Sequence, residues 1–215
     1  MKKICITGGI ACGKSEVGKM IESYGFLVLD TDIVAHRILE SDLMLARVLV
    51  SGFGKTIIDP KTGSINRKEL GKIVFNHRKS LDFLNGLIHP KVLCFTRQWI
   101  NTMEWFYPEQ PLSFCLVPLV FEINDQDNWD IIICVSSSKS IQKNRMKARG
   151  LDDREIDKRM ASQMDLEEKE KRSRLIIENN GTIEDLGKEV LKTIGALKQW
   201  DHNCSSTYNS QRFWT

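Results

Sequence analysis

Eight residues near the start of the chain carry its most specific chemical signal: Gly8-Gly9-Ile10-Ala11-Cys12-Gly13-Lys14-Ser15. They fit the pattern G-x-x-x-x-G-K-[ST] and follow the apolar run Ile4-Cys5-Ile6 directly. These residue types suit an anionic ligand. Glycines let backbone N–H groups wrap a phosphate, Lys14 can reach β- and γ-phosphates, and the Ser15 hydroxyl can ligate Mg²⁺. The helical pattern from Glu16 to Tyr24 directs its positive N-terminal end at the same anion. An ordinary Gly-rich turn is the alternative, and four fixed positions set between a strand and a helix argue against it.

Phosphoryl transfer also needs a group that accepts or orients the proton of the attacking hydroxyl. Asp30-Thr31-Asp32 ends the second apolar run, at the sheet edge that carries the loop, and Asp32 is the choice for the catalytic carboxylate. The competing role is a helix cap before Ile33, which aspartate fills well. Arg145 and Arg149 stand four apart in a helical pattern and so share a face. Arginine suits a cover over ATP because its planar fork contacts phosphate bidentately, although a solvated face is the usual fate of charged helix residues. His89-Pro90, Arg67, Lys68 and Lys91 lie in a long helical stretch and are natural partners for a phosphorylated acceptor. A histidine before proline is otherwise a turn residue. Glu122 follows a strand and could act near Mg²⁺ through water, while a clear Walker-B aspartate at a strand end is missing.

The elements that must position these groups alternate between apolar runs and helical patterns, the signature of an α/β fold with a parallel sheet wrapped by helices. Strands are expected at 3–6, 26–29, 112–119, 131–135 and 175–177. The middle ones are near-continuous apolar runs, as strands buried on both faces should be. Ligands in such sheets bind beyond the strand C-termini, where Gly8, Asp30 and Glu122 fall. Between Asp32 and Pro111 the pattern is helical, over 33–39, 43–51, 67–75, 80–87 and 90–106, and reads as a helical insertion for substrate. A second helical stretch covers 139–173: one helix ending at Gly150, another over 153–164, and a start at Asp165 with Glu168 in the capping-box position. Thr182 begins a final helix to about Leu197, and residues 201–215 show no periodicity and read as a loose tail.

Composition sets the outer limits. With 215 residues, 41% apolar and 27% charged, the chain can bury a sizeable core. No run approaches the roughly 18 apolar residues of a membrane span, and Met1-Lys2-Lys3 leads into a strand too short for a signal-peptide core. A cytoplasmic protein without a membrane partner is expected. The six cysteines, Cys5, Cys12, Cys94, Cys115, Cys134 and Cys204, lack C-x-x-C spacing, and the three inside apolar strand-like runs read as small buried hydrophobes. A net charge of +3 does not indicate a nucleic-acid partner.

Taken together the motifs resemble those of the dephospho-CoA kinases of coenzyme A biosynthesis. The resemblance rests on residues 6–15, Leu29-Asp30-Thr31-Asp32-Ile33-Val34-Ala35-His36-Arg37, Leu84-Asn85-Gly86-Leu87-Ile88-His89-Pro90 and Val117-Pro118-Leu119-Val120-Phe121-Glu122. It continues through Arg145 to Arg149, Gln163-Met164 and Ile177-Glu178-Asn179-Asn180-Gly181, covering about residues 3 to 195. It implies a P-loop kinase three-layer fold, with a five-stranded parallel sheet, a helical substrate-binding insertion and a helical lid. The corresponding divisions are a core of 1–31, 112–138 and 174–200, an acceptor domain of 32–111, and a lid of 139–173. It implies transfer of the ATP γ-phosphate to the ribose 3′-hydroxyl of dephospho-CoA, with ATP and Mg²⁺ required; a monomer or weak homo-oligomer is expected. By position, Gly8 to Ser15 with Arg145 and Arg149 would bind ATP, Ser15 would hold the metal, and Lys14, Asp32 and Arg145 would be catalytic. Asp32 and His89 would meet the acceptor by the same correspondence, and Arg67 joins them as a basic residue of the helical insertion. Two positions depart from the family: Cys12 stands for the usual serine or glycine, and Glu16 for the common threonine. Cys12 raises the idea of a thiol made oxidation-sensitive by an electropositive loop. A nucleotide monophosphate kinase and a nucleotide-responsive switch are the competing readings, the latter without the N/T-K-x-D motif that specifies guanine.

Overall fold

The computed structural model describes residues 1–74 and 76–208, with side chains to 199. Two compact units divide it, one of Met1–Asp30 with the chain from Thr102 onward, the other Thr31–Asn101.

The first unit is built on five parallel strands, β1 (Lys2–Gly8), β2 (Leu27–Asp30), β3 (Leu112–Leu116), β4 (Ile131–Ser136) and β5 (Leu175–Glu178), in the order β2-β3-β1-β4-β5. Registers such as Cys5↔Cys115, Ile6↔Ile133 and Val135↔Ile177 place all strand C-termini along one edge. The central strands β1, β3 and β4 are buried almost end to end, whereas the edge strand β5 buries only Ile177. That difference explains the continuous apolar runs at the centre. Strand β3 stops at Leu116, short of the expected Leu119, because Pro118 has no N–H to extend a ladder.

Helix α1 (Lys14–Ser23) covers the sheet with Val17 and Ile21, which pack with Ile4, Ile6, Phe114, Ile133, Leu186, Val190 and Ile194 in one core cluster. Burying each such side chain stabilises by roughly 1.5–3 kcal/mol. In the second unit, α2 (Thr31–Ser41) starts directly after β2, so Asp32 lies inside its first turn rather than ahead of the helix. Helix α3 (Leu43–Phe53) is N-capped by Asp42, whose side chain accepts from Leu45 N at 2.9 Å. After α4 (Arg67–Val74), a single helix α5 (Arg78–Phe106) replaces the two segments expected on either side of Pro90. Its buried residues Leu84, Ile88, Val92, Thr96 and Ile100 recur every fourth position, and this continuous apolar stripe outweighs the hydrogen bond lost at Pro90.

Back in the first unit, α6 (Lys139–Ala148) and α7 (Asp153–Ala161) bury Met146 and Ile156 against Ala11, with Ile10, Leu151 and Met160 around them. Helix α8 (Leu166–Arg172) begins at Asp165, whose side chain accepts from Glu167 N. Glu168, expected to close a capping box, instead accepts from Lys171 Nζ at 2.7 Å. A reciprocal box forms at α9 (Ile183–Tyr208), where Asp185 N donates to Thr182 Oγ1 and Thr182 N to Asp185 Oδ2. Helix α9 runs to Tyr208, so 201–208, expected as loose tail, continue a helix, and 209–215 lie outside the described residues. Among the described residues no helix is long and apolar enough to cross a membrane.

Candidate active site

The loop between β1 and α1 has the backbone that its residue types predict. Gly8 (φ 145°), Ala11 (φ 56°) and Gly13 (φ 95°) all have positive φ. At Gly8 a Cβ would lie 2.2 Å from Val135 O, and at Gly13 it would lie 2.2 Å from Asn179 Nδ2. Only glycine fits at either place, for reasons of both conformation and space. Lys14 Nζ donates to Gly8 O at 3.0 Å and Gly9 O at 3.1 Å, so the ammonium curls over its own loop. Ser15 is exposed in the first turn of α1, where its hydroxyl adjoins the positive end of the helix.

The donor set fits a magnesium nucleotide. Gly8 and Gly13 keep the loop clear of side chains, and Ser15 presents one neutral oxygen. Among the described residues no group of three or more His, Cys, Asp or Glu could hold a metal. A metal held by Ser15 would therefore take its other oxygens from phosphates and water, which Mg²⁺ favours.

Cys12 is fully buried beneath the loop. Burial pushes its thiol pKa up, with Lys14 opposing that shift. The electropositive surroundings expected to activate the thiol are thus outweighed by desolvation. Cys5, Cys115 and Cys134 are buried as well, while Cys94 is exposed. Cys204 lies beyond the described side chains.

Arg145 reaches inward from α6. Its Nη1 donates to Ala11 O at 3.2 Å and Ser137 Oγ at 3.1 Å, and its Nη2 to Asn179 O at 3.2 Å and Asn179 Oδ1 at 3.1 Å. Arg149, at the C-cap of the same helix, is exposed. Glu122 Oε1 accepts from Met164 N at 2.9 Å and pairs with Lys169 Nζ at 2.8 Å, and Lys169 is wholly buried. Glu122 thereby fastens the start of α8 to the turn after β3. Ser137, Gln142 and Lys169 are not among the residues singled out in the sequence, and Asn179 stands there only within the motif 177–181, without a role of its own. The available signal was position, since Ser137 and Asn179 directly follow β4 and β5 at the ligand edge of the sheet.

The second unit carries Asp32, Arg67 and His89. Asp32 is exposed in the first turn of α2, and Arg67 is exposed at the start of α4. His89 is half-buried within α5, not in the turn that Pro90 suggested, and burial pulls its pKa below the usual histidine value. Lys91 is held by Asp42 at 2.7 Å.

A family model for dephospho-CoA kinase matches residues 3–185. The chain belongs to the dephospho-CoA kinase family. A dephospho-CoA kinase of Fusobacterium nucleatum is 39% identical over 188 residues, covering 87% of this chain and 94% of its own. Among solved structures, the dephospho-CoA kinase of Campylobacter jejuni matches with a TM-score of 0.68 and 30% identity, over 94% of this chain and all of its own. TT1252 from Thermus thermophilus matches with a TM-score of 0.76 and 31% identity, over 91% and 96% of the two chains. The five-stranded parallel sheet is that of a P-loop kinase.

Proposed function

We propose that the protein transfers the γ-phosphoryl group of ATP to the ribose 3′-hydroxyl of dephospho-CoA, giving coenzyme A and ADP. The observation that carries this reading is a phosphate loop with positive φ at Gly8, Ala11 and Gly13, in a chain of the dephospho-CoA kinase family. Mg²⁺, when bound, would supply charge neutralisation at the phosphates. Lys14 leaves the Gly8 and Gly9 carbonyls and moves to the phosphates, exchanging neutral acceptors for charged ones. Ser15 offers its hydroxyl to the metal. Asp32 accepts the hydrogen bond of the acceptor hydroxyl and orients it for in-line attack. Arg149 supplies a charged fork from α6 toward the phosphates, and Arg67 and His89 meet the acceptor. The half-exposed Phe83 and Phe95 of α5 offer apolar surface to a pantetheine arm. The protein works in the cytoplasm, as its buried, unpaired thiols suit.

A coupled ADP-release assay with ATP and Mg²⁺ tests the reading, comparing dephospho-CoA, AMP, CMP and no acceptor. A large rate confined to dephospho-CoA is expected. Turnover driven by AMP or CMP would reassign the acceptor, and folded protein that binds ATP without acceptor-dependent turnover would make it a binding module.

A further inference from the structure

Beneath the phosphate loop, three strand-end segments meet in one polar network. Asn179, 6% exposed, donates from Nδ2 to Cys12 O at 2.9 Å and accepts at Oδ1 from Arg145. Ser137 Oγ donates to Asn179 O at 2.8 Å and receives Arg145 Nη1. Gln142 Nε2 donates to Ser137 O at 2.7 Å, while its Oε1 lies 3.0 Å from where a Cβ on Gly9 would be. The amide orientation of Asn179 follows from its partners, because a carbonyl faces the nitrogen and a guanidinium faces the oxygen.

We infer that Asn179 and Arg145 are positioning residues that set the curvature of the phosphate loop, and through it the affinity for the phosphates of ATP. This rests on the reading that the loop binds ATP. In a trans-planar peptide, C=O and N–H point to opposite sides. Holding Cys12 C=O on Asn179 therefore turns the N–H of Gly13 away from Asn179, toward the side where an anion would lie. Arg145 holds the preceding carbonyl, that of Ala11, whose φ of 56° is unfavourable for a residue with a Cβ. The supports thus grip Ala11, the residue of the loop that has a Cβ at positive φ, and Cys12, whose carbonyl belongs to the peptide leading into Gly13. All four Nη contacts of Arg145 go to protein acceptors, which leaves Nε–H as its remaining donor. That allocation suits a brace better than a bidentate phosphate clamp.

The test compares steady-state kinetics of Asn179→Leu with wild type, since leucine keeps the shape and adds no charge. The expected result is an ATP KM raised roughly tenfold, as for loss of a buried, charge-assisted pair. The KM for dephospho-CoA should stay within about twofold of wild type. Asn180→Leu is the control. Asn180 Oδ1 accepts from Ser138 N at 2.8 Å, outside the loop, so its ATP KM should stay at wild type. If Asn179→Leu does not fold, Ser137→Ala reads the same network and should raise ATP KM about threefold. A purely structural role would lower melting temperature and active fraction while leaving both KM values alone, and that result overturns the inference. Wild-type protein that fails to bind ATP in a direct titration would take down the ATP reading together with the inference. ATP binding with unchanged KM in the variants would sink the inference alone.

Discussion

Asp32 and Cys12 show how differently two reactive side chains can be set by their surroundings. Asp32 is exposed in the first turn of α2. A carboxylate there can accept a hydroxyl proton, and an amide cannot. Asp32→Asn should lower kcat by at least roughly a hundredfold in the ADP-release assay. ATP affinity, measured by titration, should persist, and near-normal turnover would remove Asp32 from the chemistry. Cys12 sits in the phosphate loop itself but is sealed under it, and its raised pKa keeps the thiol protonated at neutral pH. Only the thiolate is nucleophilic. Brief treatment of the folded protein with iodoacetamide should therefore modify Cys94 and spare Cys5, Cys12, Cys115 and Cys134, as read by peptide mass spectrometry. Rapid modification of Cys12 would revive the redox idea.

Helices α5 and α8 each owe a property to one polar residue withdrawn from water, His89 in part and Lys169 wholly. The ammonium of Lys169 on α8, with no exposed side-chain surface, is stabilised by Glu122 Oε1 and by Pro118 O at 2.7 Å. Removing one member of such a pair strands the other, at a cost of about 3–5 kcal/mol. Lys169→Met should lower the urea midpoint accordingly, and adding Glu122→Gln should restore part of the loss. On α5, His89 is neutral in the fold because burial depresses its pKa. Its contribution to stability is complete above the unfolded value of about 6.5 and is lost as pH falls from there toward the lower folded pKa. Between about pH 7.5 and about pH 5, the wild-type melting temperature should fall more than that of His89→Gln. Equal slopes would mean that His89 takes up its proton as readily in the fold as outside it.

For the whole molecule, a ligand that binds only the folded chain must stabilise it. ATP with Mg²⁺ at about a hundred times Kd should add ~2.7 kcal/mol, visible as a higher melting temperature. Lys14→Ala should lose most of that shift while keeping the melting temperature of the ligand-free protein, and an equal shift in both would deny Lys14 its phosphate. Much of this molecule is already legible in the sequence. All five strands and most helices follow from apolar periodicity, because a strand buried on two faces can hardly be polar. The phosphate loop follows from its glycines, since positive φ and close backbone approach admit little else. The continuity of α5 through Pro90 was not legible, because Pro90 is a local breaker and only the packed fold shows that the stripe from Leu84 to Ile100 is buried both before and after it. Nor was the inward turn of Arg145, which helical spacing with Arg149 suggested as one half of a pair facing an anion. Spacing along one helix reports a shared face, but not what that face meets. The acceptors Ala11 O, Ser137 Oγ and Asn179 O come from the ends of three strands, separated from Arg145 by up to 134 positions. The same holds for Glu122 and Lys169. The sequence by itself determined the sheet, the loop and their chemistry, because local sterics and burial patterns dictate these. Only the tertiary structure decided which polar side chains are committed beneath the loop, because those partners are brought together by strand order and not by neighbouring positions in the chain.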